Sequence, residues 1–299
     1  MFRRDNAPTD AAPAPFSDLN DALGVAANSE GDKTDLEVLG RVKEAIVAER
    51  IDLYLQPIVS LPQRKVRYYE AYSRLRDNEG RVLRPAVYLE AAERTGRIGV
   101  IDNLILTRCI EAVRRFGAQD PHLVVFCNVS PATLFDSEFF ARFTSYLEAN
   151  EDLASRLIFE FTYPSIHMMH PRVEKNLAEI AERGFAFSVD HVHSIDLDWE
   201  NLRKRNFRFV KASVQMLLGA ARFGAAGGVG DGQTDVMAKL REFRKRLADS
   251  GVDLIAEKIE RESDMPEILA IGLDYGQGHL FGAPRRAEAY LESAAPSSE

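Results

Sequence analysis

Cysteine is scarce: Cys109 and Cys127 are the only two in 299 residues. They are not at metal-ligand spacing and both fall in apolar runs, which argues against a cysteine zinc site or a disulfide framework. Two buried thiols in a reducing compartment are expected. No apolar run approaches the roughly 18–20 residues of a membrane span, and no secretory pattern opens the sequence, so a cytoplasmic location is expected. Positive charge is not in excess either. The net charge is -8 and the pI about 5.4, which argues against binding long nucleic acid, since that needs a basic face. A small phosphorylated ligand in a local basic pocket remains compatible. What is present, 45% hydrophobic and 28% charged residues, suits a globular fold of one large α/β domain or two small ones.

Residues 1–34 lack periodicity and read as a flexible tail, and 293–299 as a second one. A helix is expected from near Asp35, then the strand IDLYLQPIV, stopped by Pro57, then the strand-like KVRYYEAYSRL. Helical patterns over roughly 86–95, 99–116, 132–149 and 171–183 alternate with apolar strands. The glycine-rich segment 219–233 reads as a mobile surface loop. After it a helix ends at Gly251, its run Arg241, Arg244, Lys245 and Arg246 reading as a solvated face. Trp199 reads as a packing residue.

Six apolar runs each close on a polar residue: Asn128, Glu160, Asp190, Lys211, Glu257 and Gln277, with Glu70 a seventh inside its own run. Ionisable groups at buried strand ends are costly without partners, so the series predicts one shared site. Asn128 to Glu160 and Glu160 to Asp190 are steps of 32 and 30 residues, the size of a βαβ unit at roughly 30. Sustained alternation implies a parallel sheet with outer helices. There are enough strands to close a barrel, whose site lies at the carboxyl ends.

The chain resembles the EAL domain, the family of cyclic-di-GMP phosphodiesterases, over roughly 36–290. Tyr54-Leu55-Gln56-Pro57-Ile58 matches its opening motif and Glu70-Ala71-Tyr72-Ser73-Arg74 its signature. Pro85 and Tyr88 fall in the matching helical segment, and Asn128-Val129-Ser130, Glu160-Phe161-Thr162-Tyr163, Ala256-Glu257-Lys258-Ile259-Glu260 and Gln277 through Pro284 follow in order. The resemblance implies a TIM-like (β/α)8 barrel of EAL type with one antiparallel strand, and cyclic-di-GMP across the carboxyl-end mouth. It places the ligand on Gln56, Glu70, Tyr72, Arg74, Pro85, Asn128, Asp190, Lys211, Glu257, Gln277 and Pro284. A first Mg²⁺ or Mn²⁺ ion would lie on Glu70, Asn128, Glu160 and Asp190. In an active member Lys211 would orient the water and Glu257 would serve the second metal and the base.

Three departures fall together. The family's second Asp after Asp190 is His191, followed by Val192-His193; the Asp two positions after Lys211 is Ser213; the Glu that pins the catalytic loop is Tyr163. A two-metal site needs several carboxylates around ions ~3.5–4 Å apart, so the second site is expected to be empty or weak. The resemblance then implies an impaired domain that binds cyclic-di-GMP with no cofactor required. It would act as a receptor for a protein partner in flagellum assembly or motility, with a homodimer compatible. A slow metal-dependent phosphodiesterase yielding pGpG is the alternative, and a ligand-free scaffold a third. Four local questions stay open: an Asp-His-x-His metal centre against two loop histidines; Tyr72 stacking on guanine against filling volume; Arg74 on phosphate against a surface ion pair; and Lys211 on phosphate against a salt bridge to Asp190 or Glu257.

Overall fold

The computed structural model describes residues 30–289 except 49, 84, 118–119, 121, 168, 195–196 and 224–231. The expected tail at 293–299 lies outside the described residues, as does 1–29. The first helix starts at Glu30, five residues before Asp35.

In chain order the elements are α1 (Glu30–Val47), β1 (Ile51–Ser60), β2 (Val66–Leu75), α2 (Pro85–Arg94), α3 (Ile98–Gly117), β3 (Val125–Asn128), α4 (Pro131–Phe135), α5 (Ser137–Glu148), β4 (Leu157–Thr162), α6 (Tyr163–His167), α7 (Pro171–Glu182), β5 (Ala186–Val192), α8 (Trp199–Lys204), β6 (Phe207–Ser213), α9 (Val214–Phe223), α10 (Gly232–Asp249), β7 (Asp253–Glu257), α11 (Met265–Ile271), β8 (Tyr275–Gln277) and β9 (Arg285–Arg286). Strands β2 to β8 pair in parallel and in sequence order. β1 closes the ring, antiparallel to both β2 and β8. The fold is a closed eight-stranded barrel of TIM type with one reversed strand.

Pro57 does not stop β1. At Pro57 the strand pairs with β2 alone, between its pairing to β9 at Tyr54–Leu55 and to β8 at Ile58–Ser60. An absent N–H is tolerated where no second neighbour requires it. The expected loop at 219–233 is also shorter than read. Helix α9 runs through Ala220, Ala221 and Arg222, good helix formers, and α10 starts at Gly232; 224–231 lie outside the described residues. The basic run on α10 is only partly a solvated face, since Arg244 forms an ion pair with Asp274 at 2.8 Å. Trp199 is buried and packs against Phe243, with ring centroids 5.1 Å apart.

The barrel interior has two levels. Ile58, Phe126, Ile158, Phe209 and Ile255 form an apolar plug with Tyr68 and Tyr275 against it. Edge-to-face contacts of Tyr68 with Phe126, Phe209 and Tyr275 fix its geometry. One pleat towards the mouth, two residues on in each parallel strand and two back in β1, stand Glu70, Asn128, Glu160, Lys211, Glu257, Gln277 and Gln56. Side chains in a strand alternate faces with period two, so plug and polar level follow from one inward face. Among the described residues no helix is long and apolar enough to cross a membrane.

Candidate functional site

The polar series converges: Asn128, Glu257 and Gln277 close β3, β7 and β8 as expected, whereas Glu160, Asp190 and Lys211 do not close theirs. β4, β5 and β6 each run two residues past Glu160, Asp190 and Lys211. These groups are therefore buried inside the barrel, Glu160 at 1% and Lys211 at 0% exposure.

Lys211 is the centre. Its Nζ lies 2.6 Å from Glu70 Oε2 and 2.8 Å from Glu160 Oε2, and 5.2 Å from the Phe126 ring centroid. The salt bridge is thus with Glu70 and Glu160, not with Asp190 or Glu257. Asp190 and Glu257 are engaged elsewhere, with His191 and Lys258. Around the triad, Gln277 Nε2 donates to Glu70 Oε2 at 2.7 Å and to Gln56 Oε1 at 3.2 Å. Asn128 Nδ2 donates to Glu70 Oε1 at 3.2 Å, the Tyr72 hydroxyl to Gln56 Oε1 at 3.3 Å, and Gln56 Nε2 to the Gly282 carbonyl at 3.1 Å.

Burial pushes all the ionisable groups here towards neutrality. For Glu70 the Lys211 ammonium, aided by Gln277 and Asn128, outweighs burial and holds the carboxyl below its usual range. For Glu160 burial prevails over Lys211, helped by repulsion from Glu70 and Asp190, and the group is pushed up to about 8. Lys211 is opposed by burial, yet its two glutamates keep it firmly charged.

Asp190 and Glu257 are engaged separately. Asp190 accepts the His191 backbone N–H at 2.6 Å and lies 3.1 Å from its Nδ1. His191 sits at φ +55, a region costly for a non-glycine residue. Burial and Asp190 raise Glu257, against Lys258 at 2.9 Å. Ser213 caps α9, its hydroxyl accepting from Met216 N–H at 3.2 Å. Tyr163 opens α6 and packs against the core.

Arg74 stacks between the rings of Tyr54 and Tyr72, at 5.5 and 5.8 Å, and donates to the Ser73 carbonyl. Among the described residues no carboxylate pairs with it, so of the two alternatives the surface ion pair is not formed there. Pro85 opens α2 one turn before Tyr88, whose hydroxyl bonds Ser73 beside Arg74 at 2.7 Å. Pro284 is partly buried between Gly282 and β9. Neither proline joins the polar network.

In donor type Glu70, Asn128, Glu160 and Asp190 suit a hard divalent ion. In arrangement they do not fit one as they stand: Lys211 fills the cationic position between the glutamates, Asn128 turns an N–H to Glu70, and Asp190 is turned to His191. Among the described residues no three His, Cys, Asp or Glu side chains are grouped to hold a metal.

Sequence reasoning missed Asp102. This buried residue of α3 accepts the Ser130 N–H at 2.7 Å and the Thr133 hydroxyl at 2.5 Å, both on Oδ2, anchoring the turn after Asn128. A lone carboxylate inside the apolar run IGVIDNLIL was the available signal. It also missed Gly278, where an added Cβ would stand 2.0 Å from the Ile259 carbonyl oxygen and 2.4 Å from its nitrogen. Gly278→Ala should cost about 3 kcal/mol, since only backbone movement relieves the overlap. A urea midpoint matching wild type would refute this.

Among known proteins, the probable cyclic di-GMP phosphodiesterase PdeI of Escherichia coli strain K12 is 23% identical over 255 residues, covering 84% of this chain and 31% of that protein. The cyclic di-GMP phosphodiesterase PdeB of Shewanella oneidensis is 24% identical over 258 residues, covering 84% and 28%. The chain thus spans under a third of the length of these relatives. The PaMucR phosphodiesterase in its c-di-GMP complex shares the fold with a TM-score of 0.70 at 20% identity, over 85% of this chain and 100% of that one. The FimX EAL domain of Xanthomonas citri, in complex with c-diGMP, has a TM-score of 0.66 at 19% identity, over 86% and 96%. The family pattern of the EAL domain matches residues 40–284. With that match over most of its length, and with one strand of the barrel reversed, the chain belongs to the EAL domain family.

Proposed function

We propose that this domain is a cytoplasmic cyclic-di-GMP receptor, binding the intact dinucleotide at the barrel mouth and hydrolysing it little or not at all. One observation carries the reading: His191, in place of the family's second Asp, is held at φ +55 with its backbone N–H and its ring on Asp190, where a carboxylate for the second ion would stand in an active member. Ser213, His191 and Tyr163 stand where acidic groups of the second ion and the catalytic loop would be. In-line attack between two ions needs those charges. Ligand-facing groups are kept: Arg74 is oriented by two rings and free of a carboxylate partner among the described residues, a guanidinium suited to a bidentate phosphate contact. Binding then needs no cofactor. The resemblance to degenerate, flagellum-associated members with altered catalytic motifs supports a relay to a protein partner in flagellum assembly or motility, with a homodimer compatible.

The retention of Glu70, Asn128, Glu160, Asp190, Lys211 and Glu257 at one barrel end favours a second reading. In it a single Mg²⁺ or Mn²⁺ ion displaces Lys211 and supports slow hydrolysis to pGpG.

Calorimetric titration of cyclic-di-GMP with and without Mg²⁺, with pGpG followed by chromatography, separates the two. The expected result is saturable binding, equal in both, without product. Metal-dependent turnover at the rate of active family members would sink the receptor reading. Arg74→Ala should weaken binding about 10- to 100-fold, the value of a charge-assisted hydrogen bond, with thermal stability unchanged. Unaltered affinity would place the phosphate elsewhere.

A further inference from the structure

The amino end of the barrel, opposite the mouth, carries a second cleft of about 640 Å³ between α7 and the turn from α8 into β6. That lies within the size range of small-molecule sites, about 300–1,000 Å³. Arg203, Lys204, Arg205 and Arg208 line it against two acids, Glu174 and Glu182, in a chain whose net charge is -8. Among the described residues no ion pair joins any of the six.

Arg205 is the informative member. It is half-buried, and its two terminal nitrogens donate only to neutral acceptors, Asn201 Oδ1 at 3.2 Å and Met169 Sδ at 3.1 Å. Its Nε is buried with no partner. A guanidinium withdrawn from water, with no carboxylate in ion-pair contact and only the more distant charge of Glu174 set against burial, is costly. Its position is nonetheless fixed, over the Phe207 ring at 5.6 Å. Arg208 is fixed as well: its Nε donates to Asn206 Oδ1 at 2.9 Å, and Asn206, at φ +65, donates to the Phe185 carbonyl. The facing wall on α7 presents Leu177, Ala178 and Ala181 between Glu174 and Glu182.

We infer that this cleft binds a small phosphorylated molecule of nucleotide size, with phosphate held by Arg205 and Arg208 and a flat apolar part laid on the alanine wall. Phosphate supplies a negative charge in direct contact, which Glu174 and Glu182 do not make, and matches the arginine fork. The overall acidity disfavours long nucleic acid. The site is distinct from the cyclic-di-GMP mouth and does not depend on the reading of that mouth.

The test titrates the full chain with inorganic pyrophosphate and with ATP by calorimetry at low ionic strength. One saturable site is expected, tighter for ATP. Arg205→Gln combined with Arg208→Gln should weaken it about tenfold or more, one charge-assisted hydrogen bond being worth that much, with cyclic-di-GMP affinity unchanged. Should the double variant not fold, Ala178→Glu on the exposed wall introduces like charge and should abolish ATP binding. The inference is overturned by no saturable binding of either probe, by binding that survives these substitutions, or by a polyglutamate peptide binding more tightly than ATP, which would point to an acidic protein segment.

Discussion

Lys211→Met will lower stability at pH 7 by about 3–5 kcal/mol, the usual loss when one partner of a buried ion pair is removed. Methionine keeps most of the apolar stem against Phe126, so the loss is chiefly electrostatic. Two carboxylates then remain inside the barrel without their cation. Burial and mutual repulsion would raise both above the unfolded value. Groups raised in this way impose no penalty below the unfolded carboxyl range and an increasing one as pH climbs through the folded values. The gap between variant and wild type should therefore widen with pH in urea titrations. Because the variant vacates a cationic position flanked by oxygen ligands, Mg²⁺ should raise its Tm and leave wild type nearly unmoved. A variant as stable as wild type at pH 7, or indifferent to Mg²⁺, would show that Lys211 is not the internal counter-ion.

Asp102→Asn should act in the opposite direction. Burial pushes the Asp102 carboxyl up to about 7, against the hydrogen bonds from Thr133 and Ser130. Its folded value lies above the unfolded 3.8, so the folded state holds the proton more tightly. Asp102 thus takes stability from wild type as pH rises from about 4 to about 7, and its effect levels off beyond. At 1.36 kcal/mol per pKa unit it amounts to a few kcal/mol. Both hydrogen bonds end on one oxygen, which the asparagine carbonyl can replace. The variant should match wild type near pH 4 and exceed it at pH 7 and above. Parallel stability curves for the two proteins would refute this.

Much of the barrel was legible because its inward face repeats every second residue, with an apolar plug residue and then a polar one. The position of Glu160 or Lys211 in the series needed no tertiary knowledge. The reversed β1 was not legible in periodicity, which is blind to strand direction; it came from the family resemblance. The partners of Lys211 escaped because barrel stagger decides which side chains meet across non-neighbouring strands. Asp102 escaped because a single carboxylate on a buried helix face looks like noise in an apolar pattern. The cationic cleft at Arg205 depends on α7 lying beside the α8–β6 turn, which no local signal reports.

The reversed first strand also bears on how the domain comes to exist. Of the strands that close the ring, β1 emerges first, yet its partners β8 and β9 emerge last, and Gln56 meets Gln277 and Gly282 across separations of 221 and 226 residues. Contacts of such long range form only after most of the chain entropy has been spent. During synthesis β1 can pair early with β2 through the hairpin, but its other edge stays open until the final segment arrives. The mouth therefore cannot assemble before about residue 286 has left the ribosome, and truncation just short of Gln277 should yield a chain with an exposed strand edge, prone to self-association.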